Sequence, residues 1–254
     1  MIYIWDNDVP LFDADKHQLA PSLTPYLMEG ENNPCCIVFP GGGYVKKAWD
    51  HEGCVIAQWL NSIGISALVA DYRIAPYGGD AILADGQQSV RYARAHAAEL
   101  GIDPHRIGVC GFSAGGHLAG CCATLFTSEE DRPDYAILGY AVLTLEGERA
   151  HKGTAKVFMA ERVEDDEYRR RHSPIYNVTP ACPPMFLWTT AGDKSVNPQN
   201  NTLAMHEACK TAQIPSKVEF FDHGPHGLGI PQDDPIIASW TDSCAAWLKE
   251  QKII

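Results

Sequence analysis

The sequence predicts an α/β fold: a three-layer, doubly wound, mostly parallel sheet with helices on both faces. Three observations lead there. Six short apolar runs alternate with longer segments of helical period, the order that builds successive βαβ units. The runs are nearly continuous in apolar residues, as strands covered on both faces must be. Finally, no internal repeat, low-complexity tract or long polar linker interrupts the 254 residues, which favours one domain over two.

Taken in order, the strand candidates are CCIVF (35–39), GISALVADY (64–72), RIGVCGF (106–112), YAILGYAVL (135–143), MFLWTTA (185–191) and KVEFF (217–221). Helices are expected between and after them, at 49–62, 80–100, 114–126, 199–212 and 235–252. In the second of these, Leu83, Gly86, Val90, Ala93, Ala97 and Leu100 recur at spacings of three and four, which lines one helix face. GIDP (101–104) then stops that helix and leads into the next strand. The stretch 146–184 breaks the rhythm. It is charged and ends in a Pro-rich run, so it is expected to form a short cap or insertion over the sheet edge.

Bulk composition excludes several classes. The formal net charge is −12, and the Arg169–Arg170–Arg171 triplet follows an acidic run, so it reads as a salt-bridged solvated face. Nucleic acid and anionic membranes are therefore not expected partners. Nine cysteines, two pairs of them adjacent (Cys35–Cys36 and Cys121–Cys122) and none in C-x-x-C spacing, suit neither a disulfide framework nor a zinc site. They suit core thiols in a reducing compartment. The N-terminal MIYIWDNDVPLFDADK has no basic segment followed by an apolar one, which predicts no leader, and no apolar run reaches membrane-spanning length. A soluble, cytoplasmic chain is the expectation.

The strongest chemical signal is Gly111-Phe112-Ser113-Ala114-Gly115. It closes a strand and opens a helix, the setting in which a sharp turn holds a serine hydroxyl exposed above the sheet. A helix N-terminus there also favours negative charge developing nearby. A serine needs a base, and the base needs an orienting acid. In chain order these should follow the serine, each just behind a later strand. Asp193, in AGDKSVNP, and His226, in DHGPHGLG, stand at such positions. His223 is the competing base, although it follows its strand directly, and Asp222 is the competing acid in the same loop.

The three glycines of IVFPGGGYVKK match neither G-x-G-x-x-G nor a Walker loop, and no Ser or Thr follows Lys46-Lys47 to hold magnesium. A phosphate cradle thus lacks support, whereas an oxyanion site fits. Backbone N–H groups of Gly42 and Gly43 would join that of Ala114, the residue after the serine. Tyr44 and Trp49 follow and could serve either a substrate pocket or the core. His117 sits four residues after Ser113 and reads as a packed helix residue, and Tyr72-Arg73 as a strand-end anchor. His223-x-x-His226 lacks the further ligands that a metal requires. Neither a metal nor a cofactor is expected.

PGGGY, DYRIAP, IDPHRIGVCGFSAGGHLAG, AGDKSVNPQNN and HGPHGLG together resemble the α/β-hydrolase superfamily. The likeness runs from about Pro34 to Ala246. It is nearest to the small esterase branch, which includes acetyl-xylan and feruloyl-type esterases and hormone-sensitive-lipase-like enzymes. Pro40 stands where the latter carry the histidine of H-G-G-G, which favours the sugar-esterase-like side. The acid loop reads D-K-S-V-N-P rather than D-x-x-V-P. The resemblance implies Ser113 as nucleophile, Asp193 as acid, His226 as base, and Gly42, Gly43 and Ala114 as the oxyanion site. It further implies a serine carboxylesterase for short acyl esters, acetylated sugars or xylan fragments among them, acting without a cofactor on a small molecule. A peptidase or lipase-like hydrolase, or a non-catalytic binding protein on the same fold, is the alternative. A homo-oligomer is compatible with the sequence.

Overall fold

The computed structural model describes residues 1–6, 8–147 and 150–254. Its strands are β1 (Ile2–Tyr3), β2 (Ser22–Tyr26), β3 (Asn33–Phe39), β4 (Ser66–Asp71), β5 (Ile102–Phe112), β6 (Tyr135–Gly139), β7 (Met185–Thr190) and β8 (Ser216–Phe221). They form one sheet in the order β1-β2-β4-β3-β5-β6-β7-β8. The β1/β2 and β2/β4 pairs are antiparallel, and every pair from β4 through β3 to β8 is parallel. The chain is thus an α/β fold with a mostly parallel sheet.

Side chains of the central strands alternate strictly between two apolar layers, as the period of two requires. Cys35, Ile37 and Phe39 of β3 enter one layer, whereas Cys36 and Val38 enter the other. The first layer is closed by α2 (Gly79–Ala95), α4 (Ser113–Thr124), α5 (Lys152–Met159) and α7 (Ala204–Thr211), through residues such as Ile82, Val90, Leu118, Phe158 and Met205. The second is closed by α1 (Val55–Ser62), α8 (Pro235–Ala238) and α9 (Trp240–Glu250), through Ile56, Leu60, Ile237, Trp240 and Leu248. Burial of both sheet faces explains why the strand sequences carry almost no polar residues.

Three local departures from the sequence expectation have physical causes. β1 and β2 are additional strands. β2 reads SLTPY, and its Pro25 lies beyond the two-residue β1 pairing, where a missing N–H removes no ladder bond. The helix expected over 80–100 ends at Ala95 and restarts as α3 (Ala97–Leu100). At that break both the backbone N–H and Nδ1 of His96 lie 3.0 Å from the Tyr92 carbonyl, so the side chain competes for a helical acceptor. Finally, the helix expected from residue 49 opens with a wider turn over Asp50–Cys54, closed by Cys54 N–H to the Trp49 carbonyl at 2.9 Å.

The segment 146–184 includes Glu148 and Arg149, which lie outside the described residues. The rest forms α5, a 3-10 turn, α6 (Asp166–Arg171) and a second 3-10 turn. It packs closely rather than projecting. Phe158 is fully buried, Gly79 has no Cβ where the Phe158 ring sits, and His117 of α4 reaches the His172 carbonyl at 2.8 Å. Among the described residues no helix is long and apolar enough to cross a membrane.

Candidate active site

β5 ends at Phe112 and α4 begins at Ser113 with no intervening loop. The chain reverses there through a Ser113 φ of +52°, a left-handed conformation that costs a non-glycine residue about 1–2 kcal/mol. The flanking glycines are steric necessities. A Cβ at Gly111 would strike the Gly115 carbonyl, and one at Gly115 would strike the Phe39 carbonyl. The result is a serine 7% exposed whose hydroxyl stands at a helix N-terminus.

Two later strand ends bring the other nominated side chains to it. Ser113 Oγ lies 2.8 Å from Nε2 of His226, and Nδ1 of His226 lies 2.7 Å from Oδ2 of Asp193. Asp193 follows β7. Its second oxygen, Oδ1, accepts from the N–H groups of Ser195 and Val196, both at 2.8 Å. An ionised carboxylate can only accept, so Nδ1 of His226 carries the proton and Nε2 is left to accept from the serine hydroxyl. The loops after β7 and β8 are held together by Thr190 Oγ1 donating to the Gly224 carbonyl at 2.7 Å. Beside His226 opens a cleft of about 480 Å³ lined by Gly192, Lys194, Ser195, Gly224, Pro225 and His226.

The glycine loop passes directly against the serine. A Cβ on Gly41 would come within 3.0 Å of the Ser113 Cβ and 2.5 Å of the Phe112 carbonyl. Gly42 and Gly43 take φ values of +123° and +67°, which glycine adopts without strain. The Gly42 carbonyl accepts from Val45 and Lys46 at 3.2 Å and closes the turn. Among the described residues no backbone carbonyl accepts from the Gly42 or Gly43 N–H. Ala114, in the first turn of α4, has its N–H at the end where helices leave donors without intrahelical partners.

Other nominated residues lie elsewhere. His223 is bonded to Asp222 at 2.6 Å and to Asp234 at 2.7 Å on the exposed surface, and hydrogen bonds that it donates to these two carboxylates raise its pKa. Tyr44 requires a correction. It turns inward at a φ of +61°, is fully buried between Tyr72, His117 and Phe158, and does not line an open pocket. Its hydroxyl meets Nδ1 of His117 at 2.8 Å. His117 is likewise sealed, and burial depresses its pKa to about 4. Trp49 is partly buried against the layer closed by α1 and α9. Lys47 pairs with Asp71 and donates to the Tyr72 carbonyl at 2.8 Å. Among the described residues no cluster of three or more His, Cys, Asp or Glu could hold a metal.

The geometry adds three residues that the sequence reading did not single out. Glu52, 2% exposed, accepts from the Gly41 N–H at 2.8 Å and from the Tyr140 hydroxyl at 2.6 Å. Tyr140 packs its ring edge-on against His226, with centroids 4.9 Å apart. His151 caps α5 by accepting from the Thr154 N–H. Burial holds its imidazole below the usual histidine range, and charge on His226 lowers it further. Glu52 carried no signal because a lone acid at a helix start reads as solvated. Tyr140 was hidden within an apolar run.

With this geometry in place, the profile of the BD-FAE family matches residues 24–208. The chain belongs to the BD-FAE family. A crystal structure of an acetyl ester-xyloside bifunctional hydrolase from Caldicellulosiruptor lactoaceticus is 41% identical, with a TM-score of 0.95 over 100% of this chain and 97% of that one. An acetylxylan esterase of Xylanibacter ruminicola is 30% identical over 211 residues, covering 81% of this chain and 43% of the relative. An endo-1,4-beta-xylanase B of Butyrivibrio fibrisolvens is 29% identical over 94% of this chain and 39% of the relative. This BD-FAE member therefore spans about two fifths of the length of those two curated relatives. By sequence and by fold it is an α/β-hydrolase of the small esterase branch.

Proposed function

We propose that this chain is a serine carboxylesterase that hydrolyses short-chain acyl esters, with acetyl esters of sugars or xylan fragments as the substrate class. The single observation that carries the reading is the continuous hydrogen-bonded chain from Ser113 Oγ through His226 to Asp193. In this reading Ser113 Oγ attacks the ester carbonyl carbon as its proton passes to Nε2 of His226. Asp193 fixes the imidazole tautomer and stabilises the imidazolium. The N–H groups of Ala114, Gly42 and Gly43 receive the negative oxygen of the tetrahedral intermediate. His226 then gives its proton to the leaving alcohol, which departs as the acyl-enzyme forms. A water repeats the sequence, releases the acid and restores the serine.

The acetyl and sugar parts of the reading rest on what the related proteins are named for, the acetyl ester-xyloside hydrolase and the acetylxylan esterase. The shortness of the 146–184 stretch, taken as a short cap on one domain whose Phe158 is fully buried, supports a small acyl group over a lipid. The partner is a small-molecule ester, with no metal or cofactor in the scheme. The nine unpaired cysteines support a reducing, cytoplasmic setting.

The test is hydrolysis of p-nitrophenyl acetate, butyrate and octanoate, followed by a panel of acetylated xylo-oligosaccharides, by wild type and Ser113→Ala. Serine-dependent rates that fall from acetate to octanoate are expected. Absence of any serine-dependent turnover would overturn the esterase reading, and equal rates on acetate and octanoate would overturn the short-acyl preference.

A further inference from the structure

Glu52 is a buried carboxylate without a close permanent cation. Asp85 and Asp131, also buried, face Arg73 and Arg91 at 2.7 Å, and buried Asp193 is hydrogen-bonded to His226 and two backbone N–H groups. Glu52 has only the half-exposed His51, at 3.8 Å. Withdrawing a charge from water costs several kcal/mol unless hydrogen bonds replace the hydration. Here the replacements are a backbone amide and a phenol, and each belongs to a different side of the candidate site.

Oε2 accepts from Gly41 N–H, the first residue of the glycine loop that runs against Ser113. Oε1 accepts from the Tyr140 hydroxyl, whose oxygen in turn accepts from Gly229 N–H at 2.8 Å. Gly229 lies three residues after His226, in the same loop. It takes a φ of +56°, and a Cβ there would meet the His51 carbonyl at 2.6 Å. The histidine loop therefore rests on the very turn that carries Glu52. The Gly229 carbonyl is held as well, by Trp240 Nε1 at 3.0 Å.

Two backbone features support a role beyond packing. Tyr140 has a φ of +33°, a conformation that costs a bulky residue energy and that gathers at functional sites. Glu52 sits in the widened turn that precedes α1, a device also frequent at such sites.

We propose that Glu52 and Tyr140 are positioning residues, a relay Gly41–Glu52–Tyr140–Gly229 that fixes the oxyanion loop and the histidine loop relative to each other. The relay rests on the esterase reading for its effect on rate, though not for its geometry. It acts on backbone placement. A negative charge near the oxyanion loop would oppose an oxyanion through space, so a benefit from Glu52 must come from where it holds the amides. Each single change breaks the relay at a defined link. In Glu52→Gln the amide can keep one acceptor, for Gly41, while its NH2 faces the Tyr140 oxygen and leaves the phenol proton without an acceptor. In Tyr140→Phe both Gly229 N–H and Oε1 of Glu52 lose their partner.

The experiment combines amide hydrogen exchange at Gly41 and Gly229, followed by NMR, with steady-state kinetics on p-nitrophenyl acetate. Wild type, Glu52→Gln, Tyr140→Phe and the double variant are compared. In Tyr140→Phe, exchange should quicken at Gly41 as well as at Gly229, although Gly41 never touches Tyr140. For each variant kcat should fall about 10–100-fold, the scale of an ångström-sized misplacement, with KM nearly unchanged. The double variant should be no slower than the slower single one. Faster exchange at Gly229 alone, or losses that multiply in the double variant, would overturn the relay. Where Tyr140→Phe does not fold, Glu52→Gln reads the same coupling from the other end, at Gly229. If wild type shows no serine-dependent turnover, the esterase reading fails while the exchange comparison still decides the relay.

Discussion

Oδ2 of Asp193 and Nδ1 of His226 stand 2.7 Å apart, and the opposite oxygen of Asp193 is pinned by two backbone N–H groups. That arrangement leaves the carboxylate no rotational freedom. In Asp193→Asn the amide oxygen stays on the Ser195 and Val196 N–H groups, and the NH2 is forced toward His226. The imidazole must then accept at Nδ1 and carry its proton on Nε2, facing Ser113, where it can no longer act as base. The expected loss in kcat is about 10³–10⁴-fold, the size such tautomer inversion has in serine hydrolases. A loss below tenfold in kinetics at pH 7 would contradict the assignment of Asp193.

The turn at Ser113 would set the proposed function against stability. Ser113 holds a φ of +52°, which glycine tolerates and alanine does not. Ser113→Gly and Ser113→Ala should both abolish turnover. In urea denaturation Ser113→Gly should be the more stable of the two by about 1 kcal/mol. The reverse order would mean that the turn is not strained.

Two histidines three residues apart in the sequence should behave oppositely. His226→Ala removes the group on Ser113, whereas His223→Ala removes only a surface bridge to Asp222 and Asp234. The first should reduce kcat/KM by several orders of magnitude, and the second should stay within about twofold of wild type, since exposed pairs contribute little. Comparable losses in both would point to His223 as a participant.

Acid should destabilise the fold through His117. Burial lowers its pKa from 6.5 to about 4, so the unfolded chain takes up a proton that the folded protein refuses. This contribution is fully present above pH 6.5, declines as pH falls toward 4, and through this group alone amounts to about 3 kcal/mol. Replacing His117 by Gln keeps a polar group facing Tyr44 and the His172 carbonyl but cannot titrate. The variant should therefore show a flatter stability profile between pH 6.5 and 4. An unchanged slope would place the acid sensitivity elsewhere.

Much of this architecture was legible because sterics and burial act locally. The six central strands announced themselves because both faces are covered. Ser113 was identifiable because the close approach of Gly115 to Phe39 admits only glycine, and that requirement is written in residue identity. Asp193 and His226 could be nominated from their place behind β7 and β8. Glu52 and Tyr140 were not, because their partners are the backbone amides of Gly41 and Gly229, and no residue type marks an amide as a partner. Tyr44 could not be assigned between pocket and core for a related reason: the positive φ that turns it inward follows from the loop's path, not from its own chemistry. β2 was missed because its Pro25 is a strand breaker, tolerated here by the shortness of β1.

The sheet order carries one more consequence. Ser113, Asp193 and His226 stand behind or at the ends of β5, β7 and β8, and the last of these lies at the outer edge of the sheet. A partially assembled chain with every central strand in place but its outermost parallel strand undocked would carry a serine with nothing to receive its proton. Under the proposed assignment, the hydrogen-bonded chain from Ser113 to Asp193 is complete only once the outermost parallel strand has joined the sheet.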